Sequence, residues 1–261
     1  DANNSPATQN SQLQTAVSSG QYNVLLMQPV FGAGVVTGVQ SALSAGIKVV
    51  GVDQIIGSNL TTDAAQVKGM SGNVVFVPGT IGTKLGKLTV AACAAQHANP
   101  CPVGFMYDVK ASPLDSAIRS SFDKAIAGSP VKVAAEGESE YQISGGLQAA
   151  QTMLQAQPGL KVIVASDQGI EGAIQALPSH SSVSLIGYGG SAAALKGVKN
   201  GTWYADVAQV PATEGRLAAT DAIAAVRTGK VSPAEDPVSQ LPDQGVITKS
   251  NVSQFQAQWP G

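Results

Sequence analysis

The chain has 261 residues, and its 15 Lys+Arg against 17 Asp+Glu leave a net charge of −2 with only 12% charged residues. That length suits two domains of about 130 residues each. So ion-poor a composition argues against a nucleic-acid partner, which needs a basic face, and no run reaches the roughly 18 apolar residues of a membrane helix.

The chain opens on Asp1 with neither an initiator Met nor a leader. A processed, truncated or incompletely represented chain is therefore expected, whose signal peptide or lipid anchor would have gone with the start. Gln9 to Ser19 then reads as a helix, with Leu13, Ala16 and Val17 on one side. Val24 to Met27 is a short apolar run that fits a strand buried on both faces. A helix from Thr37 to Ala45 stops at Gly46, and strands follow at 47–52 and 74–77. Leu85 to Ala95 reads as a helix, Val103 to Tyr107 as a strand, and Leu114 to Ala127 as a helix with apolar positions every four residues. Strands at 131–135, 162–165, 183–187 and 204–210 alternate with helices at 144–156, 170–177 and 192–199. A long helix over 213–226 precedes a polar, proline-bearing stretch (232–237), then Val246 to Thr248 and a short helix around Phe255. This alternation is the βα pattern of parallel sheets, met twice.

Cys93 and Cys101 stand eight apart around His97. They read either as a disulfide formed in an oxidising compartment or as two unrelated buried thiols. Two Cys and one His are a thin metal set, so no metal is expected. Enzyme chemistry finds no footing either. There is no P-loop and no G-x-S-x-G elbow. His180 reads as an exposed turn residue, and neither it nor His97 stands in a plausible nucleophile context. Gly187 to Gly190 lacks dinucleotide spacing. No catalytic residue and no cofactor are assigned.

Asp53, Asp108 and Asp167 each follow a predicted strand. Carboxylates there either accept paired hydrogen bonds from a polyol or cap the next helix. Tyr107, Tyr141 and Tyr188 lie in or after such segments and either stack on a ligand face or pack in the core. Asp63, Asp206, Asp221 and Asp243 read as solvated surface, an edge position or turns.

Taken in order, several segments resemble the type I periplasmic binding proteins, in particular the sugar-binding branch that serves ABC importers. Asp1 to Gln9 resembles the family's D-A-x-N-D-x-x-x-Q, and Gly46 to Asp53 its G-I-P-V-V-x-x-D strand. Ser166 to Ala173 is similar to N-D-x-x-A-x-G-A, and Ile186 to Gly201 to the strand and helix that follow. Val207 to Gln209, Gly215 to Ala218 and Gly245 to Val252 complete the series. The family's first strand, first helix and second strand have no counterpart.

The resemblance implies an α/β two-lobe clamp, each lobe a parallel sheet with helices on both faces, closing by a hinge over a solute in the interlobe cleft. One lobe is expected from residues 1–101 plus 211–245 and the other from 102–210 plus 246–261, with crossings near Pro102, Gln209 and Val246. Ligand contacts carry over to Asp53, Arg119, Tyr141, Asp167 and Gln209, with Tyr188, Tyr107, Asp108 and Lys110 as further candidates. Pro78-Gly79-Thr80 stands where the family often has D-N, and Gly189 where it has a ligand-binding aspartate, a change expected to open space for a bulkier or less hydroxylated solute. The implied function is non-catalytic: a periplasmic or extracellular binding protein for a small polar, carbohydrate-like solute, with an ABC permease as partner. The alternatives are a sensory binding protein for a chemoreceptor or two-component system, and the effector domain of a LacI-like regulator.

Overall fold

Short apolar strands separated by amphipathic helices fold as two α/β units, and the computed structural model describes residues 1–178 and 181–261. His180 lies outside the described residues. Unit 1 comprises Asp1–Val77 and Pro211–Ser239, and unit 2 comprises Pro78–Val210 and Gln240–Gly261.

In unit 1, α1 (Pro6–Ser19) starts where the Ser5 side chain accepts the Thr8 amide, 3.2 Å, and stops at Gly20 with φ 63°. The strands β1 (Val24–Met27), β2 (Lys48–Asp53), β3 (Gly72–Val75) and β9 (Ala234–Glu235) form one parallel sheet in that order. α1 and α2 (Val36–Ser44) bury Leu13, Val39, Val49 and Ile56 against one face. α8 (Pro211–Thr228) sets Ala218 and Ala222 on Val50 and Val74 of the other. β1 is an edge strand, so Leu26 remains 49% exposed, where the sequence suggested burial on both faces. β9 falls in the stretch read as a polar connection; two residues of pairing leave no periodicity to detect.

Unit 2 carries α3 (Pro78–Ala95), β4 (Cys101–Tyr107), α4 (Pro113–Ile126), β5 (Val131–Glu138), α5 (Ile143–Ala156), β6 (Val162–Val164), α6 (Asp167–Ala176), β7 (Ser184–Gly189), α7 (Ala192–Asn200), β8 (Ala205–Ala208) and β10 (Val246–Thr248). The sheet order is β10-β8-β7-β6-β4-β5. β10 pairs antiparallel with β8, so this sheet is not purely parallel as expected. The closing helix expected around Phe255 is a single 3₁₀ turn at Val252–Gln254.

The boundary also differs: α3, placed by the sequence in the first lobe, packs in unit 2. The cause is its contact with α4. A Cβ on Gly82 would stand 2.0 Å from the Ile118 carbonyl oxygen, so glycine lets the two backbones approach. A Cys93–Cys101 disulfide then ties the end of α3 to β4. The chain passes between units after Val77, Val210 and Ser239: the second crossing falls where it was expected, beside Gln209, while the first and third lie before the expected Pro102 and Val246. Parallel pairing leaves the carboxyl ends of β4, β5, β6, β7 and β8 along one edge, the side on which open α/β sheets hold ligands.

Candidate functional site

In unit 1 the site begins at Asp53, the last residue of β2, whose φ of 66° turns the chain sharply. The neighbouring strand β1 supplies Gln28, whose Nε2 donates to Asp53 Oδ2 at 2.6 Å. Gln28 is held in turn by α1: Gln9 Nε2 donates to the Gln28 carbonyl, 2.8 Å, and Gln9 Oε1 accepts the Val30 amide, 2.8 Å. Behind Asp53, in the first turn of α8, stands Glu214, which is buried and hydrogen-bonds Asp53. Burial pushes the Asp53 carboxyl above its usual range, against the bonds from Gln28 and Glu214. Glu214 is pushed up to about 8 by burial first and then by Asp53 and Asp236.

In unit 2 the strand ends carry Asp108, Ser139, Ser166, Asp167, Tyr188 and Gln209. Asp108 follows β4 and is wholly buried. Its carboxylate accepts from Ser139 Oγ (2.6 Å), Ser166 Oγ (2.5 Å) and the Tyr188 hydroxyl. Asp115, in the first turn of α4, accepts the Asp108 amide at 2.8 Å. Three hydroxyl donors satisfy Asp108 internally, so it organises the ends of β5, β6 and β7 and leaves little for a ligand. Burial raises the Asp108 carboxyl, and raises the Tyr188 hydroxyl further, with Asp108 and Tyr141 adding to it. Tyr141 sits in the loop between β5 and α5 with φ 57° and is 36% exposed.

Asp167 begins α6 and accepts the Ser191 amide on Oδ2, 2.8 Å. Its neighbour is Asp206 of β8, which accepts the Gly190 amide on Oδ1, 3.0 Å. The sequence put Asp206 among surface, edge and turn carboxylates; it is wholly buried, because β8 has β7 on one side and β10 on the other. Gln209, just past β8, keeps a buried Oε1 with no hydrogen-bond partner among the described residues.

Gly189 was expected to leave space where relatives carry a carboxylate. The space is taken: the Trp259 Nε1 donates to the Gly189 carbonyl at 2.7 Å, and a Cβ on Gly189 would lie 2.8 Å from the indole and 2.7 Å from the Asp167 carboxyl.

Arg119 and Tyr107 form a different group. Arg119 Nε donates to Asp123, 2.8 Å, and its Nη1 reaches the Tyr107 hydroxyl, 2.8 Å, and the Glu136 carboxylate. Lys110 Nζ meets the other Glu136 oxygen at 2.8 Å. Both cations are thus engaged with Glu136 on β5, and the Lys110 bond leads the causes that hold the Glu136 carboxyl below its usual range. The structure brings Asp108, Ser166 and Tyr188 together, with Asp167 following Ser166 in the chain, and gives Arg119, Tyr107 and Lys110 to the Glu136 network.

Sequence reasoning missed Gln28, Glu214 and Ser139. Gln28 follows β1 as Asp53 ends β2, so strand-end position alone signals it. Glu214 looks like any acidic residue in a first helical turn. Among the described residues no group of three or more His, Cys, Asp or Glu is arranged to hold a metal ion, and no helix is long and apolar enough to cross a membrane.

The chain as a whole is similar to known proteins. The ribose import binding protein RbsB of Bacillus subtilis is 26% identical over 232 residues, which cover 88% of this chain and 71% of that protein. An ABC transporter solute-binding protein of Mycobacterium smegmatis, solved with bound glycerol, superposes with a TM-score of 0.78 at 26% identity, covering 100% of this chain and 86% of the other. A carbohydrate transporter solute-binding protein of Agrobacterium radiobacter, solved with D-arabinose, gives 0.78 at 20% identity over 97% and 83%. The profile of the periplasmic binding protein domain matches residues 1–230. The chain therefore belongs to the periplasmic binding protein domain family, with its two-lobe α/β fold.

Proposed function

We propose that the chain is an extracytoplasmic solute-binding protein that captures a small carbohydrate or polyol for an ABC importer, its permease being the partner that receives the solute. The observation that carries this reading is Asp53. It is an incompletely buried acceptor at a strand end, oriented by the Gln28 amide, and a carboxylate of this kind takes paired hydrogen bonds from vicinal hydroxyls. Ribose import by the Bacillus subtilis relative, and the glycerol and D-arabinose bound by the two structural relatives, point to the same ligand class. In unit 2, Gln209 and Tyr141 offer an amide and a part-exposed phenol at the strand-end side. The Cys93–Cys101 disulfide suits a compartment outside the cytoplasm. We assign no catalytic role. The carboxylates of the site are paired with one another or held by hydroxyls and amides.

A thermal-shift screen against pentoses, hexoses, myo-inositol and glycerol, followed by calorimetry on the hits, tests the reading. A saturable shift with at least one sugar or polyol is expected. No shift with any of them, alongside one with an amino acid or a peptide, would overturn it.

A further inference from the structure

Glu214 is 2% exposed, its Oε1 meets no donor among the described residues, and the group it hydrogen-bonds is another carboxyl, Asp53. Two carboxylates in contact cannot both be ionised away from water, and the stable arrangement holds one proton between them. Which of the two keeps it follows from their surroundings. Asp53 has the Gln28 amide to stabilise a negative charge against its burial. Glu214 has no such donor on its Oε1 among the described residues. The charged groups acting on it, Asp53 from β2 and Asp236 from the segment after β9, are both acidic. The first turn of α8 would favour an anion, but these neighbours and burial outweigh it.

Resting on the carbohydrate reading above, we propose that Glu214 is the positioning residue for Asp53: it keeps the single proton of the pair and donates it to Asp53, which stays ionised to accept ligand hydroxyls. The pair has a pH consequence. The singly protonated form is the binding-competent one. With Glu214 losing its proton at about pH 8, the competent fraction falls from nine-tenths to about one-tenth between pH 7 and pH 9. Apparent affinity should drop about tenfold over that interval.

Two measurements on the full chain test this. Carbon NMR of protein labelled at the Glu carboxyls needs no ligand. One resonance should titrate near pH 8, vanish in Glu214→Gln, and move toward acid in Asp53→Asn. A Glu214 resonance titrating in the ordinary carboxylate range overturns the proposal. Calorimetry with D-ribose and D-arabinose at pH 7 and pH 9 supplies the second reading. Wild type should lose about tenfold on going to pH 9. Glu214→Ala should weaken binding roughly tenfold at pH 7, as a lost donor to a charged acceptor does, and Glu214→Gln should recover most of that and flatten the pH profile. Binding that is unchanged from pH 7 to pH 9 in wild type overturns the positioning role. A resonance near pH 8 together with no sugar binding at pH 7 supports the shared proton and counts against the carbohydrate reading instead.

Discussion

Asp167, just past the carboxyl end of β6, and Asp206, within β8, share a hydrogen bond, both wholly buried, and together they hold the turn that follows β7. Asp167 Oδ2 takes the Ser191 amide and Asp206 Oδ1 takes the Gly190 amide. The two remaining oxygens, Asp167 Oδ1 and Asp206 Oδ2, have no donor among the described residues and converge on Gly187, 2.8 and 2.5 Å from where its Cβ would stand. A proton between them satisfies both. Burial raises both carboxyls, Asp206 well above the usual range, with Asp167 adding to the shift.

The sign of the pH effect follows from linkage. The native pair holds its proton where the unfolded chain, titrating near 3.8, has released it. Stability from this pair is therefore fullest in acid and declines as pH rises from there through the raised native value. The slope is about 1.4 kcal/mol per pH unit per proton. Asp206→Asn keeps the shape, accepts from Gly190 and donates to Asp167 without a titrating proton. Urea denaturation at pH 5, 7 and 9 should show wild type losing stability relative to Asp206→Asn as pH rises. Parallel curves would mean that no proton is shared.

Such a pair was invisible in the sequence for a physical reason. Asp206 sits in Ala205-Asp206-Val207-Ala208, where alternation puts it on one face and nothing says which neighbour covers it. Its burial depends on β10, contributed by residues 246–248 about forty positions later. The alternating strands and helices were legible because each carries its own period, and so was the strand-end position of Asp53, because strand ends can be read locally. α3 could not be assigned to its unit, since Gly82 shows its purpose only with Ile118 opposite. Glu214, Ser139 and Trp259 acquire roles through partners from distant segments, which one sequence does not pair.

Asp53 should matter for binding far more than for folding. Removing an ionised acceptor from ligand hydroxyls costs about 2 to 3 kcal/mol, roughly 30- to 150-fold in affinity. In Asp53→Ala, calorimetry with the hit from the sugar screen should show that loss, with a urea midpoint close to wild type. Unchanged affinity would take Asp53 out of the site.

The disulfide should act on stability alone. Cys93 and Cys101 are separated by eight positions at the junction of α3 and β4, and neither belongs to the strand-end group. Closing so short a loop contributes about 2 to 3 kcal/mol. The double variant Cys93→Ala/Cys101→Ala, or reduction of wild type, should lower the unfolding free energy measured in urea by that amount and leave solute affinity within twofold. A large affinity loss with little destabilisation would contradict this.

The turn after β7 gives the last prediction. Gly189 adopts φ 153°, a backbone region open to glycine, and its carbonyl accepts both the Gln209 amide at 3.2 Å and the Trp259 indole at 2.7 Å. The tail continues the contact: the Trp259 and Pro260 carbonyls accept the amides of Ala192 and Ala193, covering the start of α7. Trp259 therefore closes the turn as a plug whose one polar atom is satisfied. Trp259→Phe keeps most of the apolar contact and loses one hydrogen bond, about 1 kcal/mol. Gly189→Asp, which restores the carboxylate of the resembled family, is expected to do far worse. It forces an L side chain into that φ, displaces the indole, and sets a third carboxyl beside Asp167 and Asp206. Backbone strain of about 1 to 3 kcal/mol adds to an uncompensated buried charge of about 3 to 5. Denaturation of the two variants at one pH separates them: a small midpoint shift for Trp259→Phe, and a large loss or failure to fold for Gly189→Asp. A Gly189→Asp protein as stable as wild type would mean that Trp259 does not occupy this position in solution.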